Sequence, residues 1–268
     1  LALADRNTIM AKGEIVFDGP SAALRADEAL IHGRRVGGFI GRRKFMFEEY
    51  IARWQLVPDG LPIVTHSSRL LPVIFGGVKA MLKIAIEAEE QFGGALMEWW
   101  DGDGAARVFA YEKPALLLER AQGERSLHTM AKTGSDDEAT RILCETAARL
   151  HAKRDKPLPA LIPLRQWFLE LGESAEKYGS VILKASTVAE QLLSDPCDVT
   201  ALHGDLHHDN VLDFGARGWL AIDPKRLVGE RGFDFANIFC NPDFEVAAAP
   251  GRLARQAKIV ADTAKLEH

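Results

Sequence analysis

The stretch His203-Gly204-Asp205-Leu206-His207-His208-Asp209-Asn210 decides how this 268-residue chain is read. Within it, Asp205 and Asn210 stand in the pattern D-x-x-x-x-N. An aspartate there can accept the proton of an attacking hydroxyl, and the asparagine five residues on can hold a metal ion on nucleotide phosphates. Thirteen residues after Asn210, Asp223 closes the run Trp219-Leu220-Ala221-Ile222 and offers a second hard oxygen ligand. Base, metal amide and metal carboxylate in this order point to phosphoryl transfer, which asks a protein for positioning and charge rather than covalent chemistry. A solitary Asp-x-x-x-x-Asn is an Asx-capped turn. The His-Gly before it and the strand ending in Asp223 after it favour the chemical reading.

Two neighbouring patterns compete. His203, His207 and His208 beside Asp205 have the donor types of a zinc site, but no helical H-E-x-x-H and no distant Cys/His cluster accompanies them. Asp213-Phe214-Gly215 spells a triplet that carries a metal aspartate in protein kinases. It follows Asn210 by only three residues, where a hairpin must turn, so Asp223 is the better candidate.

Composition bounds the rest. With 47% hydrophobic and 26% charged residues the chain reads as an ordinary globular protein, long enough for one large domain or two lobes. A net charge of −5 argues against nucleic acid and suits a cationic substrate. No apolar run reaches the roughly eighteen residues of a membrane span, and the first residues carry no signal-peptide pattern. Cys144, Cys197 and Cys240 are too few and too scattered for a disulfide framework. The expected compartment is the cytosol, with no membrane partner. Oligomeric state is not readable.

Along the chain, Lys12-Gly13 and Asp18-Gly19-Pro20 read as turns around a short β run, and Ser21 to Ile31 as a helix. Gly33 to Lys44 reads as a linker. From Met46 a small sheet-plus-helix region is expected. It has a helix around Phe47–Trp54, strands at Ile63–Thr65, Leu70–Phe75 and Ala80–Ile84, a helix over Ala88–Trp100, and strands Ala106–Tyr111 and Ala115–Glu119. Gly76-Gly77 marks a hairpin turn. Beyond it the pattern is mainly helical. Ser135 and Glu138 form a capping box, followed by Ala139, Leu143, Ala147 and Leu150 at helical spacing. Helices are expected over Ile162–Glu176 and Ile182–Leu193, and a hairpin joins Val211-Leu212 to Trp219–Ile222. Trp99 and Trp100 read as core.

Taken with "LHGDLHHDNVLDFGARGWLAIDP" and "LVGERGFDFANIFCNPD", the earlier segments "THSSRLLPV", "AMLKIA", "WWDGDGAARVFA", "LLLERA" and "ILCETAARLH" resemble the aminoglycoside and hydroxyurea phosphotransferases, in the streptomycin 6-kinase branch. The resemblance runs from about Met46 to the end. It implies an α+β, protein-kinase-like two-lobed fold, with a small β-rich N-lobe over 46–121 and a mainly helical C-lobe over 122–268. It also implies ATP, Mg²⁺ and an aminoglycoside acceptor, with phosphate passed to a hydroxyl of streptomycin.

The same resemblance assigns further residues. Lys83 takes the place of the lysine on the α- and β-phosphates, with Glu90 as its expected ion-pair partner. Thr65-His66-Ser67-Ser68 takes the place of the phosphate-covering loop, with Ser67 and Ser68 as its hydroxyls. Glu119 to Ala121 corresponds to the hinge that reads adenine through its backbone. His207 lies beside the base, to orient it or touch the γ-phosphate. Asp234 corresponds to a structural aspartate expected to cap the helix carrying Ala236 to Phe239.

Two departures are expected to matter. Arg226 stands where relatives carry glycine, so a positive φ there strains the backbone by about 1–2 kcal/mol. The family pattern also continues for several helices beyond the segment matching Asn241-Pro242-Asp243, so the C-lobe is expected to be incomplete. Residues 1–45 separately resemble the C-terminal tail of an ABC-transporter ATPase, through Leu3-Ala4-Asp5-Arg6, Met10, Lys12–Val16 and Gly19-Pro20 over about the first 35 residues. No G-x-x-x-x-G-K-[ST] accompanies that tail, and it reads as an appended segment. These two features define the alternative expectation: a truncated or chimeric chain that binds Mg-ATP at most. A remoter one is an ABC-transporter accessory fragment.

Overall fold

The computed structural model describes residues 6–11, 14–20, 39–87, 93–178 and 180–266. Its contacts divide the chain into two units, Leu1–Tyr50 and Ile51–His268.

In the first unit β1 (Arg6–Ala11) and β2 (Glu14–Pro20) pair antiparallel. Asp18-Gly19-Pro20, expected as a turn, instead ends β2, because Asp18 and Gly19 are drawn into register with Thr8 and Asn7. The expected linker is also partly helical. Helix α1 (Phe39–Arg53) takes in residues 39–44, where Arg42, Arg43 and Lys44 are good helix formers that outweigh Gly41. The expected helix over Ser21–Ile31 lies outside the described residues.

The second unit opens on a six-stranded sheet. Its path is β3 (Val57–Pro58), β5 (Ser68–Phe75), β6 (Val78–Ala85), β8 (Ala115–Glu119) and β7 (Val108–Glu112), with β4 (Ile63–Val64) also on β5. Gly76 and Gly77 turn the β5–β6 hairpin at φ +55° and +85°, as a two-residue loop matching strand twist requires. On β6, Ala80, Leu82 and Ile84 bury one face, and Lys83 stands on the other. Helix α2 (Gly93–Trp100) follows, and Trp100 is buried with its Nε1 donating to the Leu150 carbonyl at 3.1 Å. The core placement of Trp100 agrees with the sequence reading.

The remainder is mainly helical: α3 (Leu127–Lys132), α4 (Asp136–Leu150), α5 (Leu164–Trp167), α6 (Leu169–Tyr178) and α7 (Ser180–Ser194), then α8 (Ala236–Cys240), α9 (Phe244–Ala247) and α10 (Arg252–Ala264). Ser135 does sit at the N-cap of α4, but its side chain makes no cap hydrogen bond. Glu138, the other member of the expected box, lies 3.7 Å from Arg141, while Asp136 and Asp137 hold Arg252 and Arg255 of α10. Side-chain caps are made at α3, where Ser126 Oγ accepts from the Thr129 amide, and at α9, where Asp243 Oδ1 accepts from the Val246 amide. One apolar core joins sheet and helices, with Leu116 and Leu118 in the same cluster as Leu143, Leu206, Leu220 and Val260. Burial of this continuous surface fixes the sheet against the helical part. Between them lie two short β elements. The first is the hairpin of β11 (Val211–Asp213) with β12 (Trp219–Ala221). The second is a sheet of β9 (Ile162–Pro163), β10 (Val199–Leu202) and β13 (Leu227–Glu230).

Candidate active site

The loop between β10 and β11 carries Asp205 and Asn210. Gly204 at φ +79° turns the chain into it, and a Cβ there would meet Leu227 at 2.7 Å. The loop is tied to itself: Asn210 Nδ2 donates to the Asp205 carbonyl at 2.9 Å and lies 3.5 Å from Asp205 Oδ2. Register then brings the metal candidates together. Val211 pairs with Ala221, the Ile222 amide donates to the Asn210 carbonyl at 2.9 Å, and Asp223 comes next at the same end of the hairpin. Asp223 has φ +66°, outside the range comfortable for an L-residue, a cost often met at functional turns.

Lys83 reaches this end from β6. Its ammonium forms an ion pair with Asp223, although the two are 140 residues apart in sequence. The expected partner Glu90 lies outside the described residues. The positive charge already resting on the Asp223 carboxylate stands in for a cation. Two hard oxygen donors at one hairpin end suit a magnesium ion, which takes few protein ligands and keeps waters and phosphates.

The zinc reading fails. His203 is fully buried, its Nδ1 accepting from the Asp205 amide at 3.2 Å and its Nε2 facing the Ile222 carbonyl at 2.8 Å. That pairing puts the proton on Nε2. Burial drives the ring below its ordinary pKa despite the nearby Asp234, so it is a neutral structural histidine stacked on Trp100. Burial likewise lowers His208, to about 4. Among the described residues no group of three or more His, Cys, Asp or Glu could hold a metal. Asp213 is also accounted for: the Arg125 guanidinium grips its carboxylate at 2.7 and 3.2 Å and holds its pKa below the usual range.

His207 lies beside Asp205, with Nε2 3.9 Å from its Oδ1 and Nδ1 accepting from the Asp209 amide at 3.3 Å. The Thr65–Ser68 segment is the tight β4–β5 turn, in which Thr65 Oγ1 accepts from the Ser68 amide. Ser67 is half-buried, and its carbonyl accepts from the Ile86 amide. Ser68 is buried, with its hydroxyl lacking a hydrogen-bond partner among the described residues. In the Glu119–Ala121 segment, the Glu119 amide donates to Arg107 and the Arg120 amide to Lys79, while the Glu119 carboxylate pairs with Arg217. Ala121 packs on the core.

Asp234 is structural, but it does not cap the following helix, whose N-cap is Phe235. Its carboxylate accepts from the His203 and Gly204 amides at 2.9 and 2.7 Å and from His151 Nε2 at 2.8 Å, so it clamps the loop that carries Asp205. Buried amides need such partners, and a charged acceptor is a strong one. Asn237 was not singled out in the sequence, yet its Nδ2 donates to Asp205 Oδ1 at 2.8 Å. Its position three residues after Asp234 is the available signal. A cavity of about 420 Å³ lies elsewhere, lined by Lys132, Asp137, Glu245 and Arg255 among others, and none of the phosphotransfer candidates lines it.

Residues 53–268 match the family model of the aminoglycoside/hydroxyurea antibiotic resistance kinases. The chain belongs to this family. Among its members, the streptomycin 3''-kinase of Klebsiella pneumoniae is 54% identical over 220 residues, covering 80% of this chain and 82% of the relative. The streptomycin 6-kinase of Streptomyces griseus is 35% identical over 201 residues, covering 69% and 62%. Solved structures of aminoglycoside kinases share the protein-kinase-like fold. A type VIII aminoglycoside-3'-phosphotransferase superposes with TM-score 0.58 at 18% identity, covering 84% of this chain and 93% of the other. A streptomycin–ATP ternary complex of an aminoglycoside 2''-phosphotransferase superposes with TM-score 0.56 at 12% identity, covering 83% and 82%. Among the described residues of this family member, no helix is long and apolar enough to cross a membrane.

Proposed function

We propose that the protein transfers the γ-phosphate of ATP to a hydroxyl of streptomycin, inactivating the drug by adding a bulky dianion. The observation that carries this reading is the gathering of Lys83 and Asp223 beside the hairpin end that bears Asn210, with Asp205 in the same loop. Asp205 takes the acceptor's proton as the new phosphorus–oxygen bond forms. Lys83 holds the α- and β-phosphates, the Thr65–Ser68 turn with Ser67 and Ser68 covers them, and Glu119–Ala121 lies along adenine. Asn210 and Asp223 would hold magnesium, which when bound offsets charge on the phosphates. Residues 46–121 act as the nucleotide lobe and 122–268 as the acceptor lobe. Residues 1–45 are an appended segment. The setting is cytoplasmic, and the partner is a small cationic drug rather than nucleic acid or membrane.

The sequence resemblance implied the 6-hydroxyl. The 54% identity to a streptomycin 3''-kinase supports the 3''-hydroxyl instead. Incubation with γ-labelled ATP and streptomycin, followed by NMR of the product, tests both parts. Label on the 3''-oxygen is the expected result, and label on the 6-oxygen restores the first assignment. Nucleotide binding without transfer to any aminoglycoside defeats the reading and leaves a chain limited to Mg-ATP binding.

A further inference from the structure

We propose that Asn237 is a positioning residue for the base Asp205. This rests on the phosphotransfer reading, in which Asp205 accepts the acceptor's proton. The loop fixes the main chain of Asp205 by local means: its amide donates to His203 Nδ1 at 3.2 Å and its carbonyl accepts from Asn210 at 2.9 Å. Its carboxylate is held differently. The contact to Asn210 Nδ2 is 3.5 Å and that to His207 Nε2 is 3.9 Å, both too long for a good hydrogen bond. The short bond comes from Asn237 Nδ2, 2.8 Å from Oδ1, on a helix 32 residues further along the chain.

The second torsion of an aspartate is soft, so an unanchored carboxylate turns freely. In-line attack needs one oxygen aimed at the acceptor hydroxyl within hydrogen-bond reach. Asn237 occupies Oδ1 and leaves Oδ2 for that proton. The geometry follows from two consecutive short elements, the 3-10 turn Arg231–Phe235 with Asp234 and helix α8 with Asn237. Asp234 and Asn237 are three residues apart, close to one helical turn, and so share a face toward the loop. Asp234 grips the backbone at His203 and Gly204, and Asn237 grips the side chain that follows. The base is thus set in place twice, by Asp234 through the two residues that precede it and by Asn237 of α8 through its own carboxylate. Asn237 also accepts from Asn241 Nδ2 at 2.9 Å, but through its main-chain carbonyl, a bond that survives side-chain replacement.

The test compares wild type with Asn237→Leu, near in volume but without a donor, Asn237→Gln, which keeps the carboxamide, and Asn237→Ala, also without a donor, in case the leucine variant fails to fold. Loss of one bond to a charged group lowers kcat about 10- to 100-fold. KM for ATP and the melting temperature stay near wild type, and Asn237→Gln recovers part of the loss. A kcat within twofold of wild type in the leucine or alanine variant overturns the proposal. So does a loss confined to KM. Crystal structures of wild type and variant give a readout independent of the acceptor. If wild type phosphorylates no aminoglycoside, the functional reading fails on its own. The Asp205 carboxylate still decides this proposal: turned in the variant it supports it, unmoved it overturns it.

Discussion

Lys83 and Asp223 meet in an ion pair across 140 residues, with the lysine side chain buried and the aspartate half-exposed. On the proposed reading Lys83 holds phosphates and Asp223 holds the metal, so binding of Mg-ATP exchanges this contact for two new ones.

Replacing either partner should therefore affect nucleotide use. Lys83→Ala is expected to raise KM for ATP and lower kcat/KM by at least about 100-fold, because a charge-assisted phosphate contact is lost. Asp223→Ala is expected to abolish the response of rate to magnesium concentration. Steady-state kinetics over a magnesium series checks both, and unchanged kinetics in both variants would exclude the site.

Asp205→Asn keeps shape but cannot accept the proton. The rate of transfer should fall about 10²- to 10⁴-fold. Equilibrium binding of ATP, measured by calorimetry, should stay within a few-fold of wild type, since the carboxylate acts on the acceptor side.

Arg226 has φ +52°, the strained conformation expected at this position from sequence. Arg226→Gly relieves about 1 kcal/mol of steric cost. The melting temperature should rise by about 2–4 °C for a domain of this size. Asp223, at φ +66°, is strained in the same way, and Asp223→Gly should stabilise the fold while destroying activity.

Arg252 and Asp136 form a bidentate pair at 2.8 and 3.0 Å, with the arginine side chain 1% exposed and the aspartate 10%. Arg252→Met leaves Asp136 buried and should cost about 3–5 kcal/mol in denaturant unfolding. The double variant with Asp136→Leu should recover much of the loss, because it removes the stranded charge as well.

Burial pushes the Cys144 thiol up to about 12, whereas Cys197 and Cys240 are exposed. Near pH 8 a thiol-disulfide reagent should titrate Cys197 and Cys240 in the folded protein and reach Cys144 only after unfolding. Rapid reaction of all three in the native state would show that the core around α4 opens.

The candidate phosphotransfer site is legible in sequence wherever its parts are local. Asp205 and Asn210 lie five residues apart in one loop, and the strand ending in Asp223 is the return arm of a short hairpin. Turn chemistry and two-residue strand periodicity constrain such spacings, so the letters alone carry the arrangement. The β5–β6 turn at Gly76-Gly77, the buried Trp100 and the strain at Arg226 were readable for the same reason. Only tertiary structure could assign the remaining contacts. Asn237 on Asp205, Asp234 on the His203 and Gly204 amides, Lys83 on Asp223 and Arg252 on Asp136 are spaced by 30 to 140 residues. No local periodicity encodes a contact at that distance. It exists because one shared core, from Leu116 to Val260, packs sheet and helices at a single geometry and burial then demands partners for the polar groups enclosed. The same holds at the start of α4, where Asp136 meets an arginine more than one hundred residues away, a pair that no local pattern announces.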